Sequence, residues 1–225
     1  MRENKISKQM DVSIIIVNYN TCELTRNCLK SVFEQTKNID FEVIVSDNGS
    51  KDGSIEMIKT NFPQVILIEN NANLGFGAAN NRGLKIAKGK YVLYLNSDTI
   101  LLNNAVKCFF DYWEKSPNKD KIGALGGNLI DEEGNVIHSG GKFPRALNEI
   151  IRLFGRLVFC FLRIKHTSNC KAKYVNKIEY ITGADLFMKN NESAVFDERF
   201  FMYYEETYLQ YLLKRQKKDR VLIDT

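Results

Sequence analysis

The chain has 225 residues, of which 44% are hydrophobic and 26% are charged. These proportions are ordinary for a globular protein, and they exclude a disordered chain and a bundle of membrane-spanning helices. The net charge of +5 is mild, and the sequence contains neither a concentrated basic stripe with interleaved aromatic residues nor a known nucleic-acid-binding motif. We therefore expect no nucleic-acid partner.

The cysteines and the N-terminal residues bear on the cellular compartment. Five cysteines are scattered without C-x-x-C spacing, which argues against zinc or redox chemistry and favours a reducing environment. Residues 1–12 are polar and contain no apolar signal segment, and no apolar run approaches the roughly 20 residues of a spanning helix. The expected location is the cytoplasm.

Apolar runs and helical periodicities alternate along the first 104 residues. Continuous β-branched runs such as 12–17 are typical of strands buried on both faces of a parallel sheet. This succession predicts an α/β fold with an open, mostly parallel sheet flanked by helices. The predicted strands cover 12–17, 41–45, 65–69 and 91–95, and the predicted helices cover 24–33, 54–61 and 78–87.

The pattern is less regular in the second half. A turn at 131–135 separates two predicted strand regions, and the end of the chain has helical character. We expect helices over 106–114, 145–165 and the later part of 200–217, and strands over 122–130 and 177–188.

Three polar clusters follow predicted strands directly, at 18–21, 47–50 and 96–98. Ligands of open α/β sheets bind at the carboxyl ends of the strands, so the three clusters are expected to meet at one rim. Asp98 at such a rim suits a hard divalent cation that bridges two phosphates, and Asp47 suits a ribose hydroxyl or a base N–H. The local alternatives are a helix cap for Asp98 and an Asx turn for Asp47.

Two further segments are weaker signals by themselves. The glycine-punctuated turn 73–77 opens a helix that contains Asn80 and Asn81, and its backbone N–H groups could approach a phosphate. Glu205 and Glu206 follow an aromatic stretch, where loss of hydration can raise a carboxyl pKa toward that of a general base. The alternative is that both glutamates are exposed while the aromatic side chains fill the core.

Together these segments resemble the inverting nucleotide-sugar transferases of glycosyltransferase family 2, and rhamnosyltransferase-like members in particular. The matching segments occur in the family's order between residue 12 and about residue 213. They are Val12 to Asn20, Ser46-Asp47-Asn48-Gly49-Ser50, Asn73-Leu74-Gly75-Phe76, Leu95-Asn96-Ser97-Asp98-Thr99, Thr182-Gly183-Ala184 and Phe196 to Phe201.

The resemblance implies the GT-A fold, with a smaller mixed sheet beside the central one, and a nucleoside diphosphate sugar as donor. It implies Mg²⁺ or Mn²⁺ at Asp98, with Asn96 standing where the family has a first Asp. Glu206 would be the base that deprotonates a saccharide or lipid-linked acceptor in cell-surface polysaccharide biosynthesis, next to Glu205. The remaining donor-site residues implied are Asn18, Asn20, Asp47, Asn80, Asn81, Ser97, Gly183 and Ala184.

The resemblance also divides the chain. It implies a polar extension over 1–10, a donor-binding half over 11–104 and an acceptor-binding and catalytic half over 105–225 that is truncated at its C-terminus. Two positions depart from the family's pattern, since Tyr208 replaces an acidic residue and Leu212 a basic one.

Two alternative functions remain open. A nucleotidyltransferase would show a Gly-rich loop with Arg or Lys after the first strand, where this chain has Asn18-Tyr19-Asn20-Thr21. A catalytically silent nucleotide-sugar-binding module is the other alternative, because Asn96 and Tyr208 depart from the family's pattern.

A basic stripe within the predicted helix 145–165 suggests a membrane-facing surface. Arginines at spacings of 7, 4 and 7 lie on one narrow side of a helix, and apolar residues lie on the other. Such a helix could dock on an anionic membrane, or pack as an ordinary amphipathic helix with a solvated basic face. The arginines are Arg145, Arg152, Arg156 and Arg163, and the apolar residues are Ile150, Phe154, Val158 and Phe161.

Overall fold

The computed structural model describes residues 10–143 and 176–224. The strands are β1 (Val12–Asn18), β2 (Phe41–Asp47), β3 (Ile66–Glu69), β4 (Tyr91–Asn96), β5 (Ile122–Gly127), β6 (Gly140–Gly141), β7 (Asn176–Ile178), β8 (Tyr180–Ile181), β9 (Asp185–Lys189) and β10 (Asp219–Ile223). The helices are α1 (Cys22–Gln35), α2 (Ser54–Asn61), α3 (Phe76–Leu84), α4 (Ala105–Lys115) and α5 (Glu205–Arg215).

Within the described ranges, eight strands form one sheet in the order β3-β2-β1-β4-β9-β5-β10-β7. Strands β3, β2, β1 and β4 run parallel, and β9 runs antiparallel between β4 and β5. Strand β10 is parallel to β5 and antiparallel to β7. The expected smaller sheet is the antiparallel pair β6-β8. The α/β architecture with a mostly parallel central sheet is confirmed.

Alternate residues of β1 pack in two different cores, which explains why most of its sequence is apolar. Ile14 and Ile16 pack in the core beneath α1, α2 and α4, and Ile15 packs on the opposite face, in the core that includes side chains of α5. All three are fully buried. Burying one such side chain stabilises the fold by about 1.5–3 kcal/mol. A strand covered on both faces therefore has apolar residues at most positions, and its buried Ser13 donates to Glu42 at 2.6 Å.

The sequence located most elements to within one to three residues. The helix predicted over 78–87 begins earlier, at Phe76, after Gly75 adopts a φ of +84°. The strand predicted over 177–188 is three separate strands, because the chain turns before β8 and again over Thr182–Ala184. Strand β10 was not predicted from the sequence. The helix predicted over 145–165, with its arginine stripe, lies outside the described residues.

The sheet contains strands from both halves of the chain, and the predicted boundary at residue 104 stays a prediction. None of the helices in the described part of the chain has the length and hydrophobicity to cross a bilayer. Strands β1, β2 and β4 end at the same rim, and β9 begins there, since Leu95 of β4 pairs with Asp185. This rim positions the candidate site.

Candidate active site at the carboxyl rim of the sheet

Asn18 at the end of β1 is a fully buried centre of hydrogen bonds. Its Nδ2 donates to Asp47 Oδ2 at 2.6 Å and to Ser50 Oγ at 3.0 Å. Its Oδ1 accepts from the hydroxyls of Thr21 at 2.7 Å and Thr25 at 2.6 Å. The amide has no further hydrogen-bonding capacity. Asn18 therefore shapes the rim from beneath by joining β1, α1 and the loop after β2.

Asp47 is also fully buried, at the end of β2. Its Oδ1 accepts from the backbone N–H groups of Gly49 at 3.0 Å and Ser50 at 2.8 Å, and Gly49 has a φ of +78°. This is the Asx turn given above as the local alternative. Because its other oxygen accepts from Asn18, both oxygens of the carboxylate are hydrogen-bonded within the protein and fix the shape of the loop 47–50.

Asn20 is the exposed member of the same group. Its backbone N–H donates to Ser50 Oγ at 2.9 Å, and its side-chain oxygen accepts from the N–H of Lys51 at 2.8 Å. The loops after β1 and β2 are thereby joined. Asn48 connects this pair to the glycine-punctuated turn, since its Nδ2 donates to Asn73 Oδ1 and to the carbonyl of Gly75, both at 3.2 Å.

Asn80 and Asn81 are buried on α3. Asn80 donates to the carbonyl of Phe76 within its own helix. The side chain of Asn81 donates to the Phe196 carbonyl and to Glu198, and it accepts from the Phe196 N–H at 2.9 Å. Asn81 therefore holds α3 against the segment that leads into α5.

The segment Asn96-Ser97-Asp98 turns away from the end of β4. The Asn96 N–H donates to the Ala184 carbonyl at 3.0 Å, and the hydroxyls of Ser97 and Thr21 lie 3.2 Å apart. These contacts, with those of Asn18 and Asp47, confirm that the three polar clusters meet at one rim.

The carboxylate of Asp98 is exposed and forms no hydrogen bond or ion pair with any residue in 10–143 or 176–224. It does not cap α4, whose N-cap position is Asn104. Burial, and then the negative charge of nearby Asp98, raise the pKa of the Cys28 thiol to about 12. Within the same ranges, no three His, Cys, Asp or Glu side chains form a group that could hold a metal by themselves. One free carboxylate suits Mg²⁺ or Mn²⁺, which takes few protein ligands and completes its shell with phosphate oxygens and water.

Gly183 and Ala184 connect Asp98 to the helix that carries the paired glutamates. A Cβ atom on Gly183 would lie 3.5 Å from Glu206 Cγ and 3.8 Å from a ring carbon of Phe76. Ala184 accepts from Asn96 through its carbonyl, as described above. The turn between β8 and β9 therefore lies between the Asn96–Asp98 segment and Glu206.

Glu205 and Glu206 begin α5 in different environments. Glu205 is only 4% exposed, and its Oε2 has no hydrogen-bond partner among the described residues. Burial, and to a lesser extent the charge of Glu206, raise the pKa of Glu205. Glu206 is half-buried and accepts from the Thr207 hydroxyl at 3.4 Å. Glu206 is therefore the accessible member of the pair. A general base must touch its substrate, so Glu206 is the better candidate for that role.

The backbone before α5 is strained. Tyr203 and Tyr204 have φ values of 67° and 68°, in the left-handed region that non-glycine residues rarely adopt. Phe201, shortly before these two residues, is held by Phe76, whose N–H donates to the Phe201 carbonyl at 3.1 Å. A Cβ on Gly75 would lie only 2.2 Å from that carbonyl oxygen. Gly75 therefore permits the close approach that sets the start of α5.

Asp185, the first residue of β9, was not singled out from the sequence. It is 6% exposed, its Oδ2 accepts from the Gly127 N–H at 2.6 Å, and its Oδ1 has no partner among the described residues. Burial raises its pKa to about 8. It lines the same cavity as Asp98 and Asn96. The sequence signal that could have identified Asp185 is its position directly before the apolar residues Leu186-Phe187-Met188.

Comparisons with known proteins bear on the family and the fold of the chain. A sequence model described as "Glycosyl transferase family 2" matches residues 13–172. A poly(ribitol-phosphate) beta-glucosyltransferase of Bacillus spizizenii is 33% identical over 123 residues, which cover 52% of this chain and 19% of that protein. A chondroitin synthase of Escherichia coli is 33% identical over 136 residues, which cover 59% of this chain and 19% of that protein. The chain thus spans about a fifth of the length of these two relatives.

A solved structure is similar over nearly the whole chain. It is a mannosyltransferase from Pyrobaculum calidifontis in complex with GDP-Man and Mn²⁺. The TM-score is 0.63 at 18% identity, and the match covers 97% of this chain and 57% of the other. At this identity the similarity establishes the fold alone, and it confirms the predicted GT-A architecture. Since the family's sequence model matches well over half of the residues, the chain belongs to glycosyltransferase family 2.

Proposed function

We propose that this chain transfers a sugar, with inversion, from a nucleoside diphosphate donor to a saccharide or lipid-linked acceptor. The observation that carries the proposal is the position of the Gly183-Ala184 turn. It contacts the Asn96–Asp98 segment through the Ala184 carbonyl and lies beside Glu206 through Gly183. A free carboxylate for a cation and an accessible carboxylate for a proton therefore lie on either side of one turn.

Asp98 is the residue that would hold Mg²⁺ or Mn²⁺. The bound cation supplies positive charge that stabilises the departing diphosphate. Asn96 and Ser97 fix the position of Asp98. The backbone N–H of Asn96 donates to the Ala184 carbonyl, and the hydroxyl of Ser97 contacts that of Thr21. The buried carboxyl of Asp185 lines the same cavity, and its protonated form below about pH 8 adds no negative charge there.

Glu206 accepts the proton of the acceptor hydroxyl in this mechanism. The acceptor oxygen forms its bond to the anomeric carbon while the bond from that carbon to the diphosphate oxygen breaks. The nucleoside diphosphate leaves from the opposite face, so the configuration inverts and no covalent enzyme intermediate is needed. Gly183 keeps the space beside Glu206 free, since any side chain there would contact its Cγ.

Asn18 and Asp47 contribute to the donor pocket as positioning residues. Their side chains hydrogen-bond to each other and to Ser50, Thr21 and the backbone of the loop 47–50. The exposed Asn20 and the backbone of these loops are the groups left to contact a nucleoside. Rhamnose on dTDP is the first donor to test, because the motifs are similar to those of rhamnosyltransferase-like members. Cell-surface polysaccharide synthesis at an anionic membrane is the proposed setting.

Titration calorimetry with nucleotide sugars tests the proposal. Wild-type protein, Asp98→Asn and Asp120→Asn are titrated with dTDP-rhamnose, UDP-glucose and GDP-mannose, with and without Mn²⁺. Asp120 is an exposed control that precedes β5, at the opposite edge of the sheet. We expect one of the donors to bind more tightly in the presence of Mn²⁺. Of the two variants, only Asp98→Asn should lose this Mn²⁺-dependent gain in donor affinity.

The expected thermal effect provides a second readout. A donor at 100 times its dissociation constant stabilises the native protein by about 2.7 kcal/mol. Equal Mn²⁺-dependent binding by wild type and Asp98→Asn would exclude Asp98 as the metal ligand. Binding without any transfer or hydrolysis of the bound donor would instead identify a silent nucleotide-sugar-binding module.

A further inference from the structure

A cleft lined by aromatic side chains lies along α5. We call it the aromatic cleft, and its ring-bearing walls are Phe143, Phe200, Tyr204, Tyr208 and Tyr211. Tyr208 and Tyr211 are three residues apart on one side of α5, and Tyr204 is the residue before the helix. The cleft therefore combines two tyrosines at helical spacing with the residue that precedes them.

The rings of the aromatic cleft contact one another without closing it. Phe200 and Tyr208 have centroids 5.3 Å apart, and Tyr211 lies 6.0 Å from Phe143 in an edge-on arrangement. Tyr204 and Tyr211 nevertheless remain 62% and 45% exposed. Exposed aromatic surface gathered in a groove, rather than scattered singly, is typical of a ligand-binding site.

Charged groups stand among the rings. Glu179 and Lys214 line the cleft, with Lys214 Nζ 3.5 Å from a Glu179 carboxylate oxygen and 5.1 Å from the centroid of Phe143. A pyranose has an apolar C–H face that packs on aromatic rings and hydroxyls that hydrogen-bond to charged side chains. An alkyl chain would remove water from this ion pair and offer it no hydrogen-bonding group in return, which is costly. The lining therefore fits a saccharide better than a lipid tail.

The aromatic cleft adjoins Glu206 through two neighbours. Thr207 lines the cleft and donates to Glu206 Oε1 at 3.4 Å. Phe143 stacks at 6.2 Å on Tyr180, whose pKa is raised first by burial and then by the charge of Glu206. We propose that the aromatic cleft is an acceptor subsite that stacks a pyranose ring on Tyr204 and Tyr211. The inference rests on the proposed function, and it names the acceptor as a saccharide.

Saturation-transfer NMR tests the subsite without any donor. The probes are methyl glycosides of glucose, galactose, N-acetylglucosamine and rhamnose, together with octyl glucoside below its micelle concentration. We expect the full chain to transfer saturation to the ring C–H protons of at least one probe. Tyr211→Ala should weaken that binding about five- to tenfold, as loss of one stacked ring implies, and Tyr211→Phe should retain it.

Two controls make the result decisive. Leu212→Ala alters an exposed apolar residue on the same helix that does not line the cleft, and it should bind like wild type. Donor binding in the presence of Mn²⁺, measured on the same samples, should be unchanged in Tyr211→Ala. The acceptor subsite is overturned if no glycoside binds, if Tyr211→Ala binds as well as wild type, or if saturation falls on the octyl chain instead of the ring. A wild type that binds glycoside but no donor would contradict the proposed function instead.

Discussion

Two regions meet at the rim of the sheet. The first is formed by the loops after β1 and β2, and the second is the segment from β9 to α5. They differ in how completely their buried polar side chains are hydrogen-bonded. In the first region, Asn18 and Asp47 are fully buried and every oxygen and nitrogen of their side chains is hydrogen-bonded. In the second, Asp185 and Glu205 are also buried, yet each has one carboxylate oxygen without a partner among the described residues.

This difference indicates a division of labour. Satisfied buried groups rigidify a loop and have nothing left for a ligand, whereas unsatisfied buried groups carry a free-energy cost that persists where function requires it. The strained backbone at Tyr203 and Tyr204 lies in the second region as well. The Asn18–Asp47 pair stabilises the rim, and the chemistry proposed for Glu206 lies in the second region.

The largest expected effect tests the chemical side of this comparison. Glu206→Gln should lower the rate of sugar transfer by about 10²–10⁴-fold, the usual contribution of a general base, while donor affinity stays unchanged. Glu34→Gln, an exposed substitution on α1, is the control. Product formation under saturating donor is the measurement. Full turnover by Glu206→Gln would remove this residue from the role of base.

The next effect tests the scaffold side. Asn18→Ala removes the donor to a buried Asp47 oxygen and the acceptor shared by two threonine hydroxyls. We expect the free energy of unfolding to fall by about 3 kcal/mol, since one buried unsatisfied group costs about 1–3 kcal/mol. Urea unfolding gives this value. Asn20→Ala, at an exposed position of the same loop, should cost less than about 1 kcal/mol; equal losses in the two variants would contradict the comparison.

The third effect, which is the smallest when stated per pH unit, concerns Asp185 and the pH dependence of stability. Its folded pKa of about 8 lies above its ordinary value of 3.8, so its stabilising contribution is complete below the ordinary pKa and is lost as pH rises through about 8. Between pH 3.8 and about pH 8, the titration of Asp185 lowers the free energy of unfolding by at most about 1.4 kcal/mol for each pH unit of increase.

Urea midpoints of wild type and Asp185→Asn between about pH 5 and about pH 8 measure this slope. The wild type should lose more stability with rising pH than Asp185→Asn, in which this carboxyl is replaced by a neutral amide. The exposed Asp120→Asn variant should keep the wild-type slope. Identical slopes in all three proteins would show that Asp185 is ionised throughout.

Local pattern was sufficient for most of the fold because it arises from residues close together in the chain. The β-branched run of β1 and the helical spacing of α1, α2 and α4 each identify an element within one to three residues of its observed end. Strand β10 escaped prediction because its parallel partner β5 lies about 100 residues earlier. A short apolar segment does not by itself indicate whether such a partner exists.

The rim could be predicted, but the role of each of its side chains could not. That 18–21, 47–50 and 96–98 converge follows from parallel strands ending at one edge. The saturation of Asn18 by Asp47, and the burial of Asp185 and Glu205, depend on contacts made only in the folded chain. Whether Asp47 meets a ligand or its own loop is decided by those contacts.

By itself, the sequence determined the alternation of strands and helices, the rim where polar residues gather, and the ordered motifs of the family. Each of these is encoded in residues adjacent in the chain or in simple rules of sheet geometry. The tertiary structure alone decided which carboxylates are free, saturated or buried, and it assembled the aromatic cleft from Phe143 and the tyrosines of α5. Those properties arise from packing between distant segments, where burial sets the electrostatics and shape of a site.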